Sequence, residues 1–157
     1  MLPNPYLQII SCPRADLNTN VRPSAALMLA PALPDLARFQ TAADDAQIPL
    51  IQPAQGTDHA IGDGFWSQEV NTLKTLKRQR PEAQLVGLAQ TRHSAMLMGE
   101  AGADLILFGH LDPVIVPGDM TLGRWWADLF EVACGCIMTQ PPQKTFGIPG
   151  QPEFYAL

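Results

Sequence analysis

Charge is what this sequence has least of. Of 157 residues only 16% are Asp, Glu, Lys or Arg, against roughly a quarter in an ordinary soluble domain. So thinly charged a surface is either covered in part by something else or kept wet by Gln, Asn and Thr. The ten basic residues are outnumbered by fifteen acidic ones, giving a net charge of −5. That balance speaks against general affinity for nucleic acid or anionic membranes. Long apolar runs are missing too. No stretch of about 18 apolar residues occurs and no basic-then-apolar leader opens the chain, so neither a membrane span nor a signal peptide is expected, and the cytoplasm is the expected compartment. Cysteine is scarce and odd in number, at three. Cys134 and Cys136 stand two apart on an expected strand and would point the same way, while Cys12 is remote. Buried reduced thiols are expected rather than a disulfide framework or a metal cluster.

What is present is enough for one domain. The 157 residues, 46% hydrophobic, can bury a real core, but a full (β/α)8 barrel takes about 250. Any barrel here is therefore shortened or incomplete. The stretch Gln84 to Gly109, QLVGLAQTRHSAMLMGEAGADLILFG, sets the class. Two short apolar runs, Leu85 to Leu88 and Leu105 to Phe108, bound a helical segment, the pattern of a βαβ unit with parallel strands. Thr91 or Ser94 can cap the helix, and Gly102 supplies its left-handed stop.

Around this unit the elements alternate. Tyr6 to Ser11 and Ala25 to Ala30 read as strands, Pro34 to Ala46 as a helix with Leu36, Phe39, Ala43 and Ala46 on one face, and Ile48 to Ile51 as a third strand. The segment from Gln52 to Trp66 reads as loop with at most a stub of strand. Ser67 is expected to cap a helix carrying Val70, Leu73 and Leu76, whose basic end at Lys77 to Arg80 complements the helix dipole. His110 to Thr121 reads as loop, and the helix after it should bury a stripe of Trp125, Leu129 and Val132. Cys134 to Met138 closes the series. The proline-rich 141–157 should form neither helix nor central strand. The expected domain organisation is thus a barrel domain over 1–140 and a Pro/Gly-rich tail over 141–157, in the α/β class with a parallel sheet.

Between Ile48 and Met138 the residues resemble the thiamine-phosphate synthase family, and a divergent alphaproteobacterial-like group within it. The resemblance rests on Arg92, His93, Ala95 to Leu97, Gly99 to Asp104 and Phe108-Gly109, together with Trp125 to Val132. GEAGAD alone occurs in many barrels; its combination with Trp125-Trp126 and Leu129-Phe130-Glu131 carries the likeness. The resemblance implies a (β/α)8 barrel that joins a pyrimidine pyrophosphate to a thiazole phosphate while Mg2+ assists pyrophosphate departure. Such chemistry needs cations and metal-gripping carboxylates at the C-terminal ends of the strands. The family's Q-L-R-x-K after the second strand falls on Leu27 to Pro31, its N-D after the third on Gln52 to Gln55, and its P-T-x-T-K after the sixth on Asp112 to Val116. None of these carries Lys or Arg. Asp63, in Gly62-Asp63-Gly64, is the remaining metal-type carboxylate in the place of the motif after the fourth strand, although Asp-Gly is also an everyday turn.

The candidate site is therefore thin. Arg92 and His93 follow one strand and His110 the next, so these three could meet phosphate. Asp63 could hold metal, and no catalytic residue is assigned. His59 with Asp58 lacks companion ligands. Trp125, Trp126, Phe154 and Tyr155 are the expected contact residues. The reading that follows is a thiamine-phosphate-synthase-like protein that has lost catalysis and serves as a binding or structural subunit of a larger protein assembly, with no cofactor. The alternatives are an active synthase using Mg2+, or a ligand-binding module without turnover.

Overall fold

The computed structural model of the chain describes residues 6–10, 26–29, 36–54, 63–111, 116–138 and 154–156. In chain order the elements are β1 (Tyr6–Ile10), β2 (Ala26–Leu29), α1 (Leu36–Asp45), β3 (Leu50–Pro53), β4 (Gly64–Ser67), α2 (Val70–Gln79) and β5 (Gln84–Ala89). They continue with α3 (Arg92–Glu100), β6 (Leu105–His110), β7 (Val116–Pro117), α4 (Met120–Leu129), β8 (Ala133–Ile137) and β9 (Phe154–Ala156).

Eight strands pair in parallel, and each has two partners: β1–β2, β2–β3, β3–β4, β4–β5, β5–β6, β6–β8, β8–β9 and β9–β1. The sheet therefore closes on itself. Stepping along the paired residues advances the numbering by 19, 23, 13, 20, 19, 28 and 19, and the return from Tyr155 to Tyr6 subtracts 149. One circuit thus misses its start by eight residues, the stagger of a (β/α)8 barrel. β7 lies outside the ring, antiparallel to the end of β6. The chain is a shortened barrel of the α/β class.

Two expectations need correcting. The sequence reading leaves nothing for an eighth strand, yet Phe154–Ala156, within the stretch 141–157, fills that place between β8 and β1. Three residues suffice because each neighbour needs only a short run of backbone partners, and every proline of the stretch precedes them. Residues 64–66, expected as loop with at most a stub of strand, and Ser67, expected as a helix cap, form β4, buried along its whole length. Gly-Asp-Gly ahead of it has the chemistry of a turn, and four residues are too few to show a period of two.

Burial separates two faces. Met28, Ile51, Trp66, Val86, Leu88, Leu105, Leu107 and Ile137 form a set drawn from the strands, joined by Leu111 just past β6. No helix residue belongs to it, so in a closed ring it fills the lumen. The alternate residues Phe65, Leu85, Ala89, Ile106, Phe108, Cys134 and Cys136 face outward onto Leu73 and Leu76 of α2, Ala95 and Met98 of α3, and Trp126 of α4. Each large apolar side chain so buried stabilises by about 1.5–3 kcal/mol. A smaller cluster seats Phe39 and Ala43 of α1 on Leu29 and Leu50.

Helix starts and stops follow local chemistry. Thr91 caps α3: its side chain accepts from Ser94 N at 3.1 Å, and Ser94 Oγ accepts from Thr91 N in return. Gly102 ends the turn at φ +100°, a backbone few other residues adopt. Gly87 allows close packing, since a Cβ there would lie 2.8 Å from Met98 Sδ. Ser67 does not cap α2. It ends β4, its hydroxyl accepts from Glu69 N at 3.0 Å, and Glu69 takes the N-cap place without its side chain bonding a backbone N–H. The α4 stripe is also shifted. Gly123 and Trp126 are buried while Leu129, the last helical residue, is 65% exposed. Past it Phe130 turns back to stack on Trp126 at 4.1 Å.

Candidate functional site

The C-terminal ends of the strands define the rim where barrel enzymes place their chemistry. Arg92 and His93 open α3 directly after β5, and His110 ends β6, so these three share one sector of the rim. Arg92 and His93 are exposed. The Arg92 guanidinium lies over the Trp125 ring, 5.0 Å from its centroid, an attraction of about 0.5–1 kcal/mol at such a surface position. His110 is half-buried and paired with Val116 where β7 folds back along β6. Gly118 then donates to the Ile137 carbonyl at 2.8 Å, tying that return to β8. Gln68 bridges the same rim, its Oε1 accepting from Leu111 N at 3.2 Å.

Carboxylates at this rim are engaged in starting helices. Asp119 accepts from Thr121 N at 2.8 Å, and Glu69 accepts from the Thr72 hydroxyl at 3.4 Å. Among the described residues no three His, Cys, Asp or Glu side chains converge as a metal would require. Asp58, His59 and Asp112, together with Arg14, Arg22 and Lys144, lie outside the described residues.

Asp63 is elsewhere. It precedes β4 rather than following it, which puts it at the N-terminal rim, away from Arg92, His93 and His110. The alignment to a motif after the fourth strand fails because Gly64 to Ser67 is itself the fourth strand. Asp63 Oδ2 accepts from Leu50 N at 3.1 Å. Asp104, one residue ahead of β6, does the same for Leu85 N at 2.9 Å. Each carboxylate satisfies an amide near the start of the neighbouring strand.

The lumen holds the residue that the sequence reading missed. Trp66 is 1% exposed among the lumen side chains, and its Nε1 donates to the carbonyl of Leu29 at 2.7 Å. Leu29 ends β2, so an indole spans from β4 to the C-terminal end of β2. The signal was present in Gly64-Phe65-Trp66, a bulky aromatic pair after a glycine, but the polar surroundings hid it.

The expected contact residues divide. Trp126 is buried, its Nε1 donating to Val132 O at 2.7 Å, and a Cβ on Gly99 would come within 3.0 Å of it. Trp125 is half-buried, edge-on to Trp126 and Phe130. Phe154 and Tyr155 belong to β9, in register with Gly135 and Cys136 of β8. Cys134 and Cys136 are buried thiols, neither of them in a disulfide, facing α4. Burial first, then the neighbouring Cys134 and Asp119, push the Cys136 thiol up to about 12.

No protein-family model matches this sequence, and no curated protein matches it either. Among solved structures, the chain is similar to a thiamine phosphate pyrophosphorylase from Pyrococcus furiosus. The TM-score is 0.67 at 10% identity, over 99% of this chain and 86% of that one. A FabK mutant from Thermotoga maritima aligns at a TM-score of 0.35 and 12% identity, covering 70% of this chain and 34% of that one, too loosely to bear on the argument. The described helices include none long and apolar enough to cross a membrane. At this identity the likeness establishes the fold: the chain has a thiamine-phosphate-synthase-like barrel.

Proposed function

We propose that this barrel has lost the synthase chemistry of the proteins it resembles and acts as a non-catalytic binding or structural subunit of a larger protein assembly, in the cytoplasm and without a cofactor. The observation that carries the reading is the indole of Trp66 bonded to the Leu29 carbonyl. It sits at the end of the second strand, where a pyrophosphate-binding barrel of this kind needs cations. Around it the lumen side chains are apolar, and a phosphate ester buried among them would lack the charged donors that offset its desolvation. Arg92 is the one Lys or Arg among the described residues that end or directly follow β4, β5 and β6, and a single guanidinium is a poor match for two phosphorylated substrates.

Incubating the purified protein with a pyrimidine pyrophosphate, a thiazole phosphate and Mg2+ is expected to give no thiamine phosphate above the uncatalysed background. Purification from native cells followed by mass spectrometry is expected to yield a companion chain in fixed proportion. Turnover in the first measurement would restore the active-synthase reading. Elution in the second as a homogeneous species of this chain alone would remove the subunit reading.

A further inference from the structure

Large apolar side chains are exposed at three of the described positions: Met96, Val116 and Leu129. Two of the three lie along one seam. Arg92 of α3 sits over the ring of Trp125 of α4, and Gly99 of α3 faces Trp126, so the two helices run side by side. Met96 stands four residues after Arg92, and Leu129 four after Trp125. Each is thus one helical turn further along the same face. Met96 is 43% exposed and Leu129 65%.

The charges on α3 indicate what covers this seam. Arg92, Met96 and Glu100 are all exposed and stand at i, i+4 and i+8. The stripe has a cation in the first turn of the helix, a thioether in the middle and a carboxylate at the end. That order is unfavourable for a helix on its own, because the dipole's positive end repels Arg92 and its negative end repels Glu100. α2 has the ordinary placement, with Lys77 and Arg78 in its last turn. Nor do the two charges of α3 relieve each other, since eight residues of helix hold them about 12 Å apart. Neither has an ion-pair partner among the described residues. A second copy of α3 lying antiparallel to the first reverses both faults. With a two-fold axis through Met96, residue 92 of one chain stands opposite residue 100 of the other, and residue 96 opposite residue 96. Each Arg92 then meets a carboxylate and the negative end of a helix, and each Glu100 meets a guanidinium and a positive end. The two Met96 side chains, flexible enough to fit one another, fill the space between.

We propose that α3 is a self-association face, on which two copies of this chain pair antiparallel about Met96, with Leu129 of each at the margin of the contact. One nine-residue helix from each chain makes an interface at the small end of specific contacts, so the dimer forms and dissociates with concentration. The inference does not depend on whether the barrel is catalytic or has a companion chain.

Sedimentation equilibrium on the unmodified protein, from about 1 µM to 1 mM, should show the mass rising from monomer to dimer. Met96→Glu, which sets two carboxylates against each other on the axis, should leave only monomer. Glu100→Arg and Arg92→Glu each place like charges opposite one another at both ends of the contact, and each should raise the dissociation constant at least about tenfold. The double variant Arg92→Glu/Glu100→Arg restores opposite charges and should dimerise more tightly than either single variant. Circular dichroism should show the same fold throughout, because all three positions are exposed. A monomer at every concentration overturns the proposal. So does a dimer that any of the three single variants leaves unchanged, or a double variant no tighter than the single ones.

Discussion

At the N-terminal rim Asp63 and Asp104 stand in equivalent places, each one residue ahead of a strand and each bonded to an amide near the start of the strand before it. At the C-terminal rim Arg92 and His93 are exposed, while Asp119 and Glu69 serve helix starts. In a catalytic barrel the polar groups of the C-terminal rim converge on a substrate and those of the opposite rim serve stability. Here Asp63, Asp104, Asp119 and Glu69 all bond to groups of the chain itself. The comparison also shows that a carboxylate read alone from sequence is ambiguous: Asp63 invites a metal reading, and its partner turns out to be a backbone N–H.

The largest effect should come from the lumen beneath the C-terminal rim. Trp66→Ala removes a buried indole and strands the Leu29 carbonyl, and is expected to cost about 3–5 kcal/mol in a urea melt; Trp66→Phe, which removes only the donor and part of the volume, should cost less. An unchanged midpoint in the alanine variant would break the view of the lumen as a packed core. Next, Asp63→Ala and Asp104→Ala should each cost about 1–3 kcal/mol, and by similar amounts with or without Mg2+. If Mg2+ stabilised the parent but not the Asp63 variant, the two rims would have to exchange roles.

The thiols sharpen the same contrast through pH. The Cys136 thiol is raised from an ordinary value of 9.0 to about 12, so above pH 9 the unfolded chain loses this proton while the folded chain keeps it. Stability should therefore fall as pH rises between about 9 and 12, by up to roughly 1.4 kcal/mol per unit from this group, and Cys136→Ala should flatten that slope. Smallest is Arg92→Ala. Its loss of the contact with Trp125 should cost about 0.5–1 kcal/mol, and inorganic phosphate should shift the Tm of parent and variant equally. A phosphate shift that vanishes with Arg92 would make the C-terminal rim an anion site after all.

Local chemistry made the central unit legible. The β5–α3–β6 pattern, the Thr91 cap and the Gly102 stop all follow from residues within a few positions of one another. The Leu129 error has a local origin too: the helix ends at that residue, so a stripe extended by period alone runs past its last turn, and Phe130 rather than Leu129 meets Trp126. The two missed strands have a different cause. β4 and β9 are four and three residues long, and an aromatic pair in so short a run does not mark a strand until neighbours supply partners on both sides.

By itself, the sequence determined the α/β class, the parallel central unit and the low charge, since each of these depends on residue type and near-neighbour spacing. Closure of the ring through Phe154–Ala156, the position of Asp63 at the N-terminal rim and the bond from Trp66 to Leu29 were decided only in three dimensions. They depend on backbone partners 13 to 149 residues away in the chain, a separation that no local pattern encodes.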